Sequence, residues 1–272
     1  ANLLAVKDKL PLLRYVIGTG GAAQAGVSQW DALLAKADSR FTCLDTGAED
    51  SALIVYTSGT TGPPKGALKP HRVLLGNIPG FVHSHDFFPQ PGDMFWSPAD
   101  WAWTGGLMDA LLPAWHFGQP ILGYRGRFDA ERAYYLIEKY GVRNAFLFPT
   151  ALKLMMKAVP EPGKRYRIDL RSIMSAGESV GVTVIEWARE HLGVTINEMF
   201  GQTEINYVVG NCQAAWPVKP GAIGRPYPGH RVAIIDGEGR EVPRGELGEI
   251  AVQRAVDGVP DPVFFLEYWK NP

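Results

Sequence analysis

The chain has 272 residues, 46% of them hydrophobic, which supplies a sizeable core for one large or two modest domains. Its 27 basic and 28 acidic residues leave a formal charge of -1 with no basic run, so neither nucleic acid nor an anionic membrane surface is the expected partner. No apolar segment approaches the ~20 residues that cross a bilayer, Ala1-Asn2-Leu3-Leu4 lacks a signal-peptide pattern, and two distant cysteines, Cys43 and Cys212, fit a reducing cytoplasm better than a disulfide framework.

In chain order, Leu12 to Ile17 reads as a strand stopped by Gly18-Thr19-Gly20-Gly21, and Trp30 to Lys36 has helical spacing. The G-T-G-G run lacks the third glycine and the following helix of a dinucleotide fingerprint, so a loop is expected there. Ala52 to Val55 reads as a buried strand. It leads into Thr57, Ser58, Gly59, Thr60, Thr61, Gly62, Pro63, Pro64 and Lys65. Glycine backbone, hydroxyl donors and one ammonium in that order can wrap a polyphosphate. Two prolines before the lysine put the run out of register with the G-x-x-x-x-G-K-[ST] loop, and a plain surface loop is the alternative.

A helix over Val73 to Ile78 is expected to begin near Pro70-His71. His83-Ser84-His85 is the nearest approach to a zinc cluster, but with no cysteine partner it reads as solvated loop. Between Met94 and Gly106, Trp96, Trp101 and Trp103 with Gly105 and Gly106 suggest an aromatic wall at a strand-to-helix turn, core packing being the equal alternative for each indole. Asp129 to Tyr140 is an amphipathic helix with Asp129 as N-cap and Gly141 as stop. Strands over 145–148 and 171–175 and helices over 151–158 and 182–191 give an α/β layer with a mostly parallel sheet, whose ligands collect at the carboxyl ends of strands. There lie Ser175-Ala176-Gly177-Glu178-Ser179 and, after a strand over 194–196, Asn197-Glu198-Met199-Phe200-Gly201-Gln202-Thr203-Glu204. From about Gly210 the chain turns Pro/Gly-rich, with a hairpin expected around Asp236-Gly237, so residues 210–272 read as an incomplete, barrel-like β-rich subdomain after an α/β portion over 1–209.

The word Y-T-S-G-T-T-G-P-P-K-G, followed by S-A-G-E-S, N-E-M-F-G-Q-T-E and K-P-G-A-I-G-R-P, resembles the motif series of the adenylate-forming (AMP-binding) enzymes, closest to medium-chain acyl-CoA synthetases, from about Leu53 to Pro272. The resemblance implies the synthetase fold and an acid–thiol ligase: ATP converts a carboxylic acid to an acyl adenylate, and coenzyme A takes the acyl group. It implies that Thr57 to Lys65 hold the β- and γ-phosphates, that Gly177, Glu178, Ser179 and Glu198 to Gln202 line the adenine slot, that Thr203 touches the α-phosphate, and that Glu204 helps hold Mg2+. Lys65, Thr203 and Glu204 are the implied catalytic residues. Acetate-specific relatives carry tryptophan where this chain has Gly201, so an open pocket for a medium-chain, branched or aryl acid is expected, with Trp103 as its wall, and Gly201→Trp is expected to shift preference toward acetate. The family's ribose-binding T-G-D segment and the small C-terminal domain with the adenylation lysine do not occur in these residues. The sequence is thus expected to be the interior of a chain about twice as long, binding ATP weakly by itself, without turnover, and prone to association through cut sheet edges. A homo-oligomer, an adenylation domain that loads a carrier protein, and a non-catalytic nucleotide- or acyl-binding protein stay open.

Overall fold

The computed structural model describes residues 2–21, 24–57 and 62–271. Contacts divide the chain into two units, Ala1–Asp45 and Thr46–Pro272. The first holds α1 (Asn2–Ala5), β1 (Ile17–Gly18), β2 (Ser28–Gln29) and α2 (Trp30–Leu34), with β1 and β2 paired in parallel. The strand expected over 12–17 is present only at its end. Leu12 and Tyr15 are exposed, and the residues before Val16 meet no partner strand among the described residues.

The second unit begins with β3 (Ser51–Thr57) and β4 (Lys65–Pro70), α3 (Arg72–Ser84) and β5 (Phe95–Trp96). A continuous helical stretch follows: α4 (Thr104–Gly106), a π-helical turn (Leu107–Leu111) and α5 (Leu112–His116). Next come β6 (Ile121–Leu122), α6 (Ala130–Tyr140), β7 (Asn144–Phe146), α7 (Pro149–Ala158), β8 (Ser172–Ser175), α8 (Val182–His191) and β9 (Ile196–Phe200). The remaining strands are short: β10 (Val209–Gly210), β11 (Arg225–Pro226), β12 (Val232–Ile235), β13 (Glu249–Val252), β14 (Ala255–Val256), β15 (Val259–Pro260) and β16 (Glu267–Tyr268).

A seven-stranded sheet runs β11-β10-β9-β8-β7-β5-β6, parallel from β9 to β6 and antiparallel at β10 and β11. The architecture is α/β with a mostly parallel layer followed by β-rich chain. Both faces of the sheet are covered, which is why its strands read as apolar without alternation. Trp96, Ala145, Ile173 and Ile196 point to one face and pack with α6, α7 and α8. Phe95, Phe146, Met174 and Met199 point to the other, against Phe81 of α3 and Tyr207. The helix ends follow the sequence: the Asp129 carboxylate accepts from Arg132 N at 2.7 Å, and Gly141 takes left-handed backbone (φ 62°) that stops α6.

At the amino ends of the parallel strands Arg171 donates to both oxygens of buried Asp93, at 3.0 and 2.6 Å, to Asn144 Oδ1 at 2.9 Å and to the Asp86 carbonyl at 2.8 Å. Ser172 Oγ donates to Asn144 Oδ1 at 2.8 Å and lies 3.2 Å from His85 Nδ1, while Asn197 Nδ2 donates to the Ser84 carbonyl at 3.0 Å. This network pins the end of α3 to β7, β8 and β9. Burial pushes the Asp93 carboxyl up, but hydrogen bonds from Arg171, Asn144 and Gln90, with the Arg171 charge, outweigh it and hold it below the ordinary range.

Three expectations are corrected here. His83 and Ser84 belong to α3, and His85 is buried among Phe81, Phe88 and Phe95 rather than solvated. The strand expected over 194–196 starts at Ile196 and runs through Phe200, so Asn197 to Phe200 of that word are themselves strand. The Asp236 turn brings back only Glu241 to bridge Ile235, and the true partner of β12 is β13, reached after a further excursion.

Arg171→Leu leaves the Asp93 carboxylate buried and unpaired, and is expected to cost roughly 3–5 kcal/mol in urea unfolding. His85 supplies a pH signature. Burial, then the Arg171 charge, lowers it to about 3 from 6.5, so the stability it carries is present above pH 6.5 and is lost as pH falls toward 3. Relative to His85→Phe, the native protein is expected to lose about 2 kcal/mol between pH 7 and 5; parallel thermal-unfolding profiles for the two proteins would remove that account.

Candidate active site

The carboxyl ends of β8 and β9 open on one cavity of about 420 Å³. Gly177, Glu178 and Ser179 form one lip, and Glu198, Met199, Phe200, Gly201 and Gln202 form its floor and far side. All eight residues expected at an adenine slot therefore meet at one place. Glu198 sets the local geometry: its carboxylate accepts from Val180 N at 2.9 Å, tying the turn after β8 to β9, and its carbonyl accepts from Asn211 N at 2.8 Å. Three further lining residues, Gly221, Ala222 and Ile223, were not anticipated as site residues. Asn211 Nδ2 holds that segment through the Ala222 carbonyl at 3.3 Å. The signal was present in the Pro/Gly-rich run, whose second glycine has φ 123° at Gly224 and lies against Gly210 of β10.

A second cavity, about 190 Å³, adjoins the first and shares Gly177, Met199, Gly201 and Gln202 with it. Trp103, Thr104, Gly105, Phe146, Ala176, Thr203, Asn206 and Asp109 complete its wall. Trp103 and Gly201 thus line one cavity. Of the other tryptophans, Trp96 is core and Trp101 is partly exposed beside a third cavity after β5 and β6. A Cβ on Gly201 would stand 2.7 Å from Asn206 Oδ1 and 3.1 Å from the backbone at Asn206 and Tyr207. Glycine is required here by close approach, so Gly201→Trp perturbs the 201–207 turn as well as the cavity volume.

The polyphosphate-type loop joins β3 to β4 as an antiparallel connection from Thr57 to Lys65. Ser58, Gly59, Thr60 and Thr61 lie outside the described residues, while Gly62, Pro63, Pro64 and Lys65 are exposed. Lys65 Nζ sits 5.1 Å from the centroid of Tyr268, and the Tyr268 hydroxyl donates to Glu204 at 2.5 Å. Lys65 and Glu204 are thus brought to one tyrosine of β16, which pairs with β4. The Glu204 bond, then burial, pushes the Tyr268 phenol up to about 12. Behind them Lys69 is buried, and desolvation lowers it to about 8 against the attraction of Glu204 and Asp109. Asp109 accepts from Asn206 Nδ2, and burial raises it to about 7. Among the described residues no three His, Cys, Asp or Glu side chains gather as a metal cage.

Residues 2–257 match the AMP-binding enzyme family. The chain belongs to that family. It is 30% identical over 268 residues to the acetyl-coenzyme A synthetase of Bacillus subtilis (strain 168), covering 97% of this chain and 46% of that one. Among solved structures, a Brucella canis acyl-CoA synthetase superposes with TM-score 0.86 at 32% identity, over 98% of this chain and 49% of the other. ATP-bound MatB from Rhodopseudomonas palustris superposes with TM-score 0.77 at 25% identity, over 91% of this chain and 48% of the other. The chain spans about half the length of the curated relatives it matches. Among the described residues no helix is long and apolar enough to cross a membrane.

In this member of the family the 201–207 turn is tightly packed around Gly201. Gly201→Ala is expected to displace Asn206 and cost about 1–3 kcal/mol in urea unfolding through overpacking alone; a variant as stable as the native protein would show that the turn yields freely.

Proposed function

We propose that the protein activates a carboxylic acid with ATP, releasing pyrophosphate, and passes the acyl group from the resulting adenylate to the thiol of coenzyme A. The observation that carries this reading is the junction of the two cavities at Gly201 and Gln202. One is of a size for a nucleoside and the other is smaller with largely apolar walls, so an acid carboxylate and an α-phosphate meet where they join. Attack of one anion on another is slow in water, and holding both in a fixed geometry while neutralising their charge is how a protein accelerates it.

In this reading Gly177, Glu178, Ser179 and the β9 residues Glu198 to Gln202 receive the adenine, with Gly221 to Ile223 as a third side. Thr203 lies beside the α-phosphate. Thr57 to Lys65 hold the outer phosphates, Lys65 supplying charge. Mg2+ fits a site of one carboxylate, since it keeps several waters and takes its remaining oxygens from phosphates; Glu204 would hold it, and the bound ion would neutralise phosphate charge. Tyr268 orients Glu204 through its hydroxyl. Trp103, Phe146, Ala176 and Met199 form the apolar wall of the acid's cavity, which suits an acid larger than acetate. A cytoplasmic setting, where ATP and coenzyme A are found together, agrees with the two unpaired cysteines.

The test is incubation of the longest natural protein containing this sequence with ATP, Mg2+, coenzyme A and acids from acetate through octanoate to benzoate. AMP, pyrophosphate and acyl-CoA in equal amounts, with larger acids favoured, is the expected result. Adenylate without thioester on every acid would replace coenzyme A by another thiol acceptor such as a carrier protein. Trp103→Ala is expected to raise kcat/KM for the bulkiest accepted acid relative to the smallest by roughly tenfold; an unchanged ratio removes Trp103 from the wall.

A further inference from the structure

We infer that Asp109 makes the smaller cavity a docking point for a hydrogen-bond donor, so that the acid carries a hydroxyl or amino group in addition to its carboxylate. This rests on the acid-activation reading above and names the class of acid.

Three observations converge on Asp109. It sits in the π-helical turn Leu107–Leu111, a distortion that often re-aims a side chain at a functional site. It lines the 190 Å³ cavity although only 5% exposed. Its hydrogen bond among the described residues comes from Asn206 Nδ2, and a carboxylate offers about four acceptor positions, so capacity remains. Thr104, on the same cavity, has a buried hydroxyl with no partner. Two polar groups with unused hydrogen-bonding capacity therefore share a cavity with the apolar side chains of Trp103, Phe146 and Met199 and the polar ones of Gln202, Thr203 and Asn206.

Lys69 does not remove the need. It is buried and feels the Asp109 charge through space, with no side-chain hydrogen bond between the two among the described residues. A buried carboxyl with one neutral donor is costly, and burial has already moved this one up to about 7. A ligand hydroxyl or amine would supply the missing partner. If Asp109 served only to hold Asn206 beside Gly201, its replacement would affect every acid alike.

Matched acids separate these roles. Pyrophosphate exchange is measured on the longest natural protein containing this sequence with benzoate against 3-hydroxybenzoate and 3-aminobenzoate, and hexanoate against 6-hydroxyhexanoate. The expected result is at least about tenfold higher kcat/KM for the donor-bearing member of one pair, with that ratio collapsing toward one or inverting in Asp109→Leu. A native protein that prefers the plain acid in every pair overturns the inference without any variant, as does a preference that Asp109→Leu leaves intact. Exchange with plain acids alone overturns this inference and leaves acid activation standing. No exchange with any acid overturns acid activation, and this inference with it.

Discussion

The bidentate contact of Arg171 with Asp93, buried at the amino ends of the parallel strands, is the constraint on which the sheet's order depends. A carboxylate that deep is tolerated only while its partner is in place. Arg171 also reaches Asn144 and the Asp86 carbonyl, so one guanidinium fixes β7 against β8 and both against the end of α3. With the amino ends locked, the register of β8 and β9 leaves no freedom at their carboxyl ends. Gly177 and Glu198 arrive at the same cavity because β8 and β9 pair in parallel up to Ser175 and Glu198.

The site itself inverts that logic. Its lips are turns and glycines, and its fixed points are few: Glu198 bound to the amide of Val180, Asn211 bound to the Ala222 carbonyl, and Tyr268 bound to Glu204. The last reaches from β9's exit to β16, near the chain's far end, and places it beside Lys65 on β4. Elements separated by two hundred residues thus share one cluster of charge. Lys69 and Asp109, lowered and raised by burial, lie behind it, where desolvation dominates over their mutual attraction.

Much of this was legible from residue order. The α6 boundaries followed from Asp129 and Gly141, since capping is local chemistry, and the words around Gly177 and Glu198 lay at strand ends, where parallel sheets bind ligands. What escaped depends on distance. Gly221 to Ile223 reach the cavity by a bond from Asn211 that no periodicity announces. Asp109 belongs to no motif read in the sequence, and its burial beside Asn206 shows only in the folded chain. His85 stood in a Pro- and Phe-rich stretch that reads as loop, while those same phenylalanines enclose it. The strand expected from Leu12 to Ile17 had the composition for pairing, but pairing needs a neighbour, and β2 offers two residues.

The hairpin from β3 to β4 has one further consequence. Lys65 opens a strand rather than a helix, so among the described residues no helix dipole stands behind the connection at its Lys65 end. On the proposed reading, the hold on a polyphosphate there draws its long-range part from side-chain charge, with Lys65 exposed to solvent. Such attraction weakens over about 8 Å at physiological ionic strength. If the loop holds a nucleotide as proposed, that part of the hold would follow the salt content of its surroundings, as attraction to an exposed side-chain charge does.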